Sequence, residues 1–384
     1  MAVVVVMIDG LPYLESGAVG EETWHRLAAV AQTGRLTWEG DPRFSWYGQH
    51  ALWQRCQGRD LPLGYLAALA LLREEPDPER IWCCLGFTHL YQKQQDLLFL
   101  SPERTGQSPA ECLLLTEALA EELTPSGWQW HPPSTWSAAD LPFPGFLLLS
   151  RAPTLPGEEW SVTTTPLSLL EGESLRKRLP QGEQAASLIQ LLTHGQLLLA
   201  RHALNVQRRQ EGRTLLNTPW LWGVGSGRQV QRGQGAAGGV CWSADPVLAG
   251  LARAAGAELG WLDEQGPWDG LLARLAEQMA TRQVLVHFAL PALLLRHRLP
   301  EVSQETLQRI DRDFVQPLCE RAARQNGKLV LGSFQGAGPT GSEALPWVMG
   351  QGALLRKRRR FWHRGRWGQG VCRSGLDLQA EWSR

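Results

Sequence analysis

Hydrophobic residues at the start of the chain run unbroken from Val3 through Ile8 (VVVVMI), so both faces of this segment are apolar. That is the signature of a central parallel strand covered by helices on both sides of its sheet. Further along, the segment 21–31 (EETWHRLAAVA) puts Trp24, Leu27, Ala28 and Ala31 on one helical face, and Gly34 supplies a stop. The run 62–72 predicts an apolar helix, and 74–80 (EEPDPER) breaks it before a strand-like IWCCLGF. At 108–123, Ser108 as N-cap, Pro109 at the first position and Glu111 at the third form a capping box, which predicts a helix start at Ser108. A second helix is predicted over about 183–204.

From 239 onward the pattern alternates. Strands are predicted at 239–242, 284–287 and 328–332, and helices near 246–255, at 268–280 and at 303–325. Strands separated by helices imply a doubly wound, mainly parallel α/β sheet. Between 124 and 173 the chain is rich in Pro, Trp and Ser, with one strand expected at 146–150, and reads as an irregular insertion. The predicted organisation is a core of 1–45 and 230–384 with 46–229 as an inserted lid region.

Composition narrows the function classes. The chain has 38 basic and 38 acidic side chains among 384 residues, so no global field steers it to nucleic acid or membrane. Its seven cysteines are scattered without a C-x-x-C pair, which argues against a disulfide framework or a zinc knuckle. No run approaches the roughly 18 apolar residues of a membrane span, and the N-terminus has no basic n-region. The expectation is a cytoplasmic protein. Its 18 tryptophans fit either a Trp-rich core or broad aromatic contact surfaces.

Candidate chemistry gathers at the predicted strand ends. Asp9 follows the first strand, where open α/β sheets place their ligands, and reads either as a site carboxylate or as a cap. His287 ends a later strand, and His297 lies ten residues on. Asn205 and Arg208 share a helix face; they either clamp a substrate or anion, or pin the segment that follows. Glycine-rich runs at 223–239 and 332–341 fit neither a P-loop nor a dinucleotide fingerprint. The segment 356–366 (RKRRRFWHRGR) is the one strong local charge signal: Arg356, Lys357, Arg358, Arg359, Arg360, Arg364 and Arg366 interleave with Phe361 and Trp362. It reads as a solvated terminal face or as a site for an anionic partner or nucleic acid.

At four places the chain resembles the cofactor-independent phosphoglycerate mutases of the archaeal type, within the alkaline phosphatase superfamily. MIDG at 7–10 looks like the family's first strand and metal-binding Asp. The segments 202–208 and 217–225 are similar to its H-P-x-N-x-x-R and N-x-x-W-L-W-G-x-G signature. His287 and the helix after it, and the closing segment 361–378, also match in outline. The resemblance implies an alkaline-phosphatase-type α/β fold and two metals, manganese or zinc, serving a Ser nucleophile that Ser45 would represent. The metal pattern departs from the family: Phe334-Gln335 replace an Asp-His pair, Ala292 and Arg296 fall where an Asp and a His belong, and Gly341 replaces a further His. Ser45 lacks the acidic neighbour.

Three readings follow. The first is a mutase-like pseudoenzyme, without cofactor, that regulates or scaffolds through a protein partner. The second is a divergent phosphomutase or phosphatase holding Mn or Zn through Asp9, His287 and His297. The third is anionic-partner binding through 356–366.

Overall fold

A computed structural model describes residues 3–8, 62–137, 144–155, 157–230, 239–278, 281–289, 300–325, 328–333 and 347–351. In chain order its strands are β1 (Val3–Ile8), β2 (Ile81–Lys93), β3 (Asp96–Leu100), β4 (Trp128–His131), β5 (Leu147–Arg151), β6 (Val162–Thr163) and β7 (Gln181–Gly182). They continue as β8 (Thr218–Ser226), β9 (Val240–Ser243), β10 (Glu258–Trp261), β11 (Val284–Phe288), β12 (Lys328–Ser333) and β13 (Trp347–Gln351). The longer helices are α1 (Leu63–Leu71), α2 (Pro109–Leu123), α3 (Ala185–Arg201), α4 (Ala203–Gln210), α5 (Pro246–Ala254), α6 (Asp269–Gln278), α7 (Pro300–Ile310) and α8 (Gln316–Gln325).

The chain divides into two compact units, one of Met1–Arg55, Gly233–Asp245 and Leu251–Arg384, the other of Cys56–Arg232 and Pro246–Gly250. The first carries a six-stranded sheet in the order β10-β9-β11-β1-β12-β13, parallel throughout except that β13 runs antiparallel to β12. The all-apolar β1 is central, between β11 and β12, as its sequence predicts. On one face Val4, Val6 and Ile8 join Val284, Val286 and Phe288 of the neighbouring strand. Leu272 and Leu275 of α6 and Leu307, Ile310, Phe314, Val315 and Leu318 of the helical segment 300–325 cover them. Trp268, Phe288 and Phe314 meet edge to face, with centroids 5.1 to 5.8 Å apart. Each such buried side chain contributes about 1.5–3 kcal/mol, far more than helix propensity supplies.

The single helix expected over 303–325 is instead α7 and α8 joined by a π-helical stretch, Asp311–Val315. The π-helical stretch places Phe314 and Val315 in the core.

The second unit is built on β2. This strand pairs with β3 at its far end and lies between β5 and β8 at its near end, all antiparallel, with β4 beyond β5. Within 124–173, read as an irregular insertion with one strand at 146–150, β5 is that strand, and β4 and β6 are additions to it. These two are four and two residues long, too short to display a two-residue period, and the Pro and Ser around them dominate the local composition. Every residue of α1 is buried, so no amphipathic stripe marks it. Its Gly64 lies so close to β2 that a Cβ there would stand 2.5 Å from Cys83 Cα.

The long helix expected over 183–204 is broken. His202 adopts an extended backbone (φ −66°, ψ 138°), ends α3, and begins α4 by accepting the Leu204 amide on its ring nitrogen. The predicted helix at 21–31 lies outside the described residues. Among the described residues no helix is long and apolar enough to cross a membrane.

Candidate functional site

β11 reads VLVHF, and its alternation sends Val284, Val286 and Phe288 into the core just described. Leu285 and His287 point to the opposite face, which is also buried, as a parallel sheet demands. His287 stands in register with Met7 of β1 on one side and Ser243, the last residue of β9, on the other. Both His287 and Ser243 are fully buried, and Ser243 Oγ lies 3.1 Å from His287 Nδ1. The same Oγ accepts the Asp245 amide at 3.0 Å. The hydroxyl keeps both a second lone pair and its proton for Nδ1, so it pairs with the ring in either neutral tautomer.

Chemically this pair ties two parallel strands together at their carboxyl edge, where open α/β sheets bind ligands. His287 was a metal candidate in the sequence. Its Nδ1 is occupied by Ser243, so any ligand role falls to Nε2. Ser243 itself escaped sequence reading. The available signal was a short apolar run, VCW, followed by a polar residue, the same sequence form in which Asp9 follows the run 3–8.

Asp9, Ser45, His297 and the basic residues Arg356, Lys357, Arg358, Arg359, Arg360, Arg364 and Arg366 lie outside the described residues. Among the described residues, no group of three or more His, Cys, Asp or Glu is gathered as a metal site would need.

Asn205 and Arg208 do come together, one α4 turn apart and both buried. Asn205 donates through Nδ2 to the Leu199 and Leu216 carbonyls at 2.8 and 2.9 Å and accepts the Leu216 amide at 2.9 Å. It thereby ties the end of α3 to the residue two before β8. The break at His202 aims α4, and with it Asn205, at that segment. Arg208 donates through Nε to the Thr214 carbonyl at 2.7 Å, through one terminal nitrogen to Glu111 at 2.7 Å, and through the other to the Thr105 carbonyl at 2.5 Å. Between a substrate clamp and a pin, the sequence left the choice open; these bonds are those of a pin, because all three guanidinium nitrogens are engaged by the protein itself.

Glu111 closes this network. It completes the capping box of α2 with Ser108 and also pairs with Arg208 and Arg213. Burial raises its pKa, but the Ser108 amide and the two guanidinium groups outweigh that effect and hold the carboxyl below its ordinary range.

No family model matches the chain. A probable 2,3-bisphosphoglycerate-independent phosphoglycerate mutase of Geobacter sulfurreducens is 39% identical over 64 residues, 17% of this chain and 16% of that protein. The 2,3-bisphosphoglycerate-independent phosphoglycerate mutase of Methanosarcina mazei is 27% identical over 168 residues, 41% of this chain and 42% of its own length. The matches thus span less than half the length of these curated relatives. Among solved structures, the PH0037 protein of Pyrococcus horikoshii aligns over 91% of this chain and 88% of its own, with a TM-score of 0.48 and 13% identity. The cofactor-independent phosphoglycerate mutase of Thermoplasma acidophilum aligns over 98% of both chains with a TM-score of 0.39 and 13% identity. The sequence matches bear out the resemblance carried by the motifs: over part of its length this chain is similar to the cofactor-independent phosphoglycerate mutases.

Proposed function

We propose that this chain is a phosphoglycerate mutase-like protein that no longer builds a two-metal phosphoryl-transfer centre and works by binding, in a regulatory or scaffolding role. The observation that carries this reading is the dipeptide Phe334-Gln335, which stands where the resemblance calls for a metal-binding Asp-His pair. A phenyl ring offers a hard cation no lone pair. Ala292, Arg296 and Gly341 remove three more donors, and Asp9 is the one carboxylate that keeps its place in the pattern. A divalent cation asks for several oxygen or imidazole ligands. These residues do not fit a two-metal group.

The test is a phosphoglycerate mutase and phosphatase assay of the full chain with manganese or zinc supplied. Turnover no higher than that of Asp9→Ala supports a binding role. Turnover that disappears in Asp9→Ala overturns it and favours a divergent phosphomutase using Asp9, Ser45, His287 and His297.

A further inference from the structure

The antiparallel unit holds a polar cluster made of residues that belong to none of the motifs shared with the mutases. The register of β5 sets Ser150 opposite Trp82 of β2 on one side and Gln129 of β4 on the other. Ser150 is fully buried. Arg80, the residue before β2, donates through Nε to Ser150 Oγ at 3.0 Å and through a terminal nitrogen to Gln129 Oε1 at 3.2 Å. His131 Nε2 lies 2.8 Å from the same Ser150 Oγ, and its ring sits against Trp82 with centroids 4.9 Å apart.

The hydrogen-bond directions follow from the donor inventory. Arg80 can only donate, so Ser150 Oγ accepts from it and keeps a second lone pair and its own proton for His131 Nε2. The Nδ1 of His131 makes no hydrogen bond to another described residue.

The charge is equally one-sided. Arg80 pairs with no carboxylate among the described residues, although two acidic residues precede it. Glu79 is taken by Arg228, and Asp77 Oδ1 accepts the Glu79 amide. Arg80 and His131 are both half-buried and Gln129 is exposed, so the cluster opens to solvent at one rim. A half-buried guanidinium whose side-chain partners are neutral, linked to an imidazole through one shared hydroxyl oxygen, is a positive charge without a counter-ion among the described residues, the condition that draws an oxyanion.

We infer that Arg80 and His131 form an oxyanion-binding site on the antiparallel sheet, taking a phosphate group, with Ser150 holding the two side chains in place and Gln129 at the rim. This site is independent of the fate of the strand-end metals.

The experiment is a titration of the full-length protein, carrying isotope-labelled histidine, with inorganic phosphate, while the His131 ring signals are followed by NMR. The signals are assigned by their loss in His131→Gln. Sodium chloride at matched ionic strength and sodium acetate are titrated separately. The expected result is a saturable shift of the His131 signals with phosphate, absent with chloride and weaker with acetate. Arg80→Gln is expected to weaken phosphate binding by at least about tenfold. Arg80→Lys, which keeps the charge, is expected to lose less, with thermal unfolding showing that each variant is folded. No saturable shift, an equal shift with chloride, or undiminished binding by folded Arg80→Gln would overturn the inference; acetate binding as tightly as phosphate would overturn the phosphate assignment.

Discussion

Glu111 Oε1 receives the fully buried guanidinium of Arg208 at 2.7 Å, across 97 residues of sequence, while the same carboxylate caps its own helix. Removing the acid strands a buried charge. Glu111→Ala is therefore expected to destabilise the antiparallel unit by about 3–5 kcal/mol, the range for breaking one side of a buried pair. Urea unfolding followed by tryptophan fluorescence checks this through the midpoint. In the double variant Glu111→Leu with Arg208→Met the loss should fall short of the sum of the two single losses, because no unpaired charge remains.

Gly64 stands where α1 meets the backbone of β2. A methyl group there would meet Cys83 Cα at 2.5 Å, and backbone cannot turn aside as a flexible side chain can. Gly64→Ala should cost about 1–3 kcal/mol by overpacking, although alanine is the better helix former. The midpoint of chemical unfolding decides: a stabilised variant would show that α1 does not pack so closely.

His131 gives a pH signature. Burial first, and then the positive charge of Arg80, lower its pKa from an ordinary 6.5 to about 4. The folded protein thus binds this proton less readily than the unfolded chain. Stability from this source is complete above about pH 6.5 and is lost as pH falls toward about 4. The melting temperature is expected to drop over that window. In His131→Phe the drop should be smaller.

What the sequence made legible was the parallel sheet and its local punctuation. Val3 through Ile8 announced a central strand by being apolar on both faces, and Ser108, Pro109 and Glu111 announced the start of α2. What it concealed depended on distant pairing. The strand expected at 146–150 is β5, but β4 is too short to carry a period, and the order around β2 is set by distant partners, up to 145 residues apart where Ile81 of β2 meets Ser226 of β8. The break at His202 is invisible in an apolar run because His is neither a glycine nor a proline; it acts through a ring nitrogen that caps α4. The candidate sites behave likewise. Asn205 and Arg208 were evident as a pair, and a pinning role was one of two readings, but Glu111 as Arg208's counter-ion was not. Ser243 became visible only when parallel register brought it beside His287.

The most direct test of the central claim is the metal content of the full-length protein, purified without chelator, loaded with manganese or zinc, and dialysed exhaustively. The account predicts a folded protein that retains far less than one metal per chain, with Asp9→Ala indistinguishable from the parent. Near-stoichiometric metal that is lost in Asp9→Ala would contradict it, and would return the strand ends to phosphoryl-transfer chemistry.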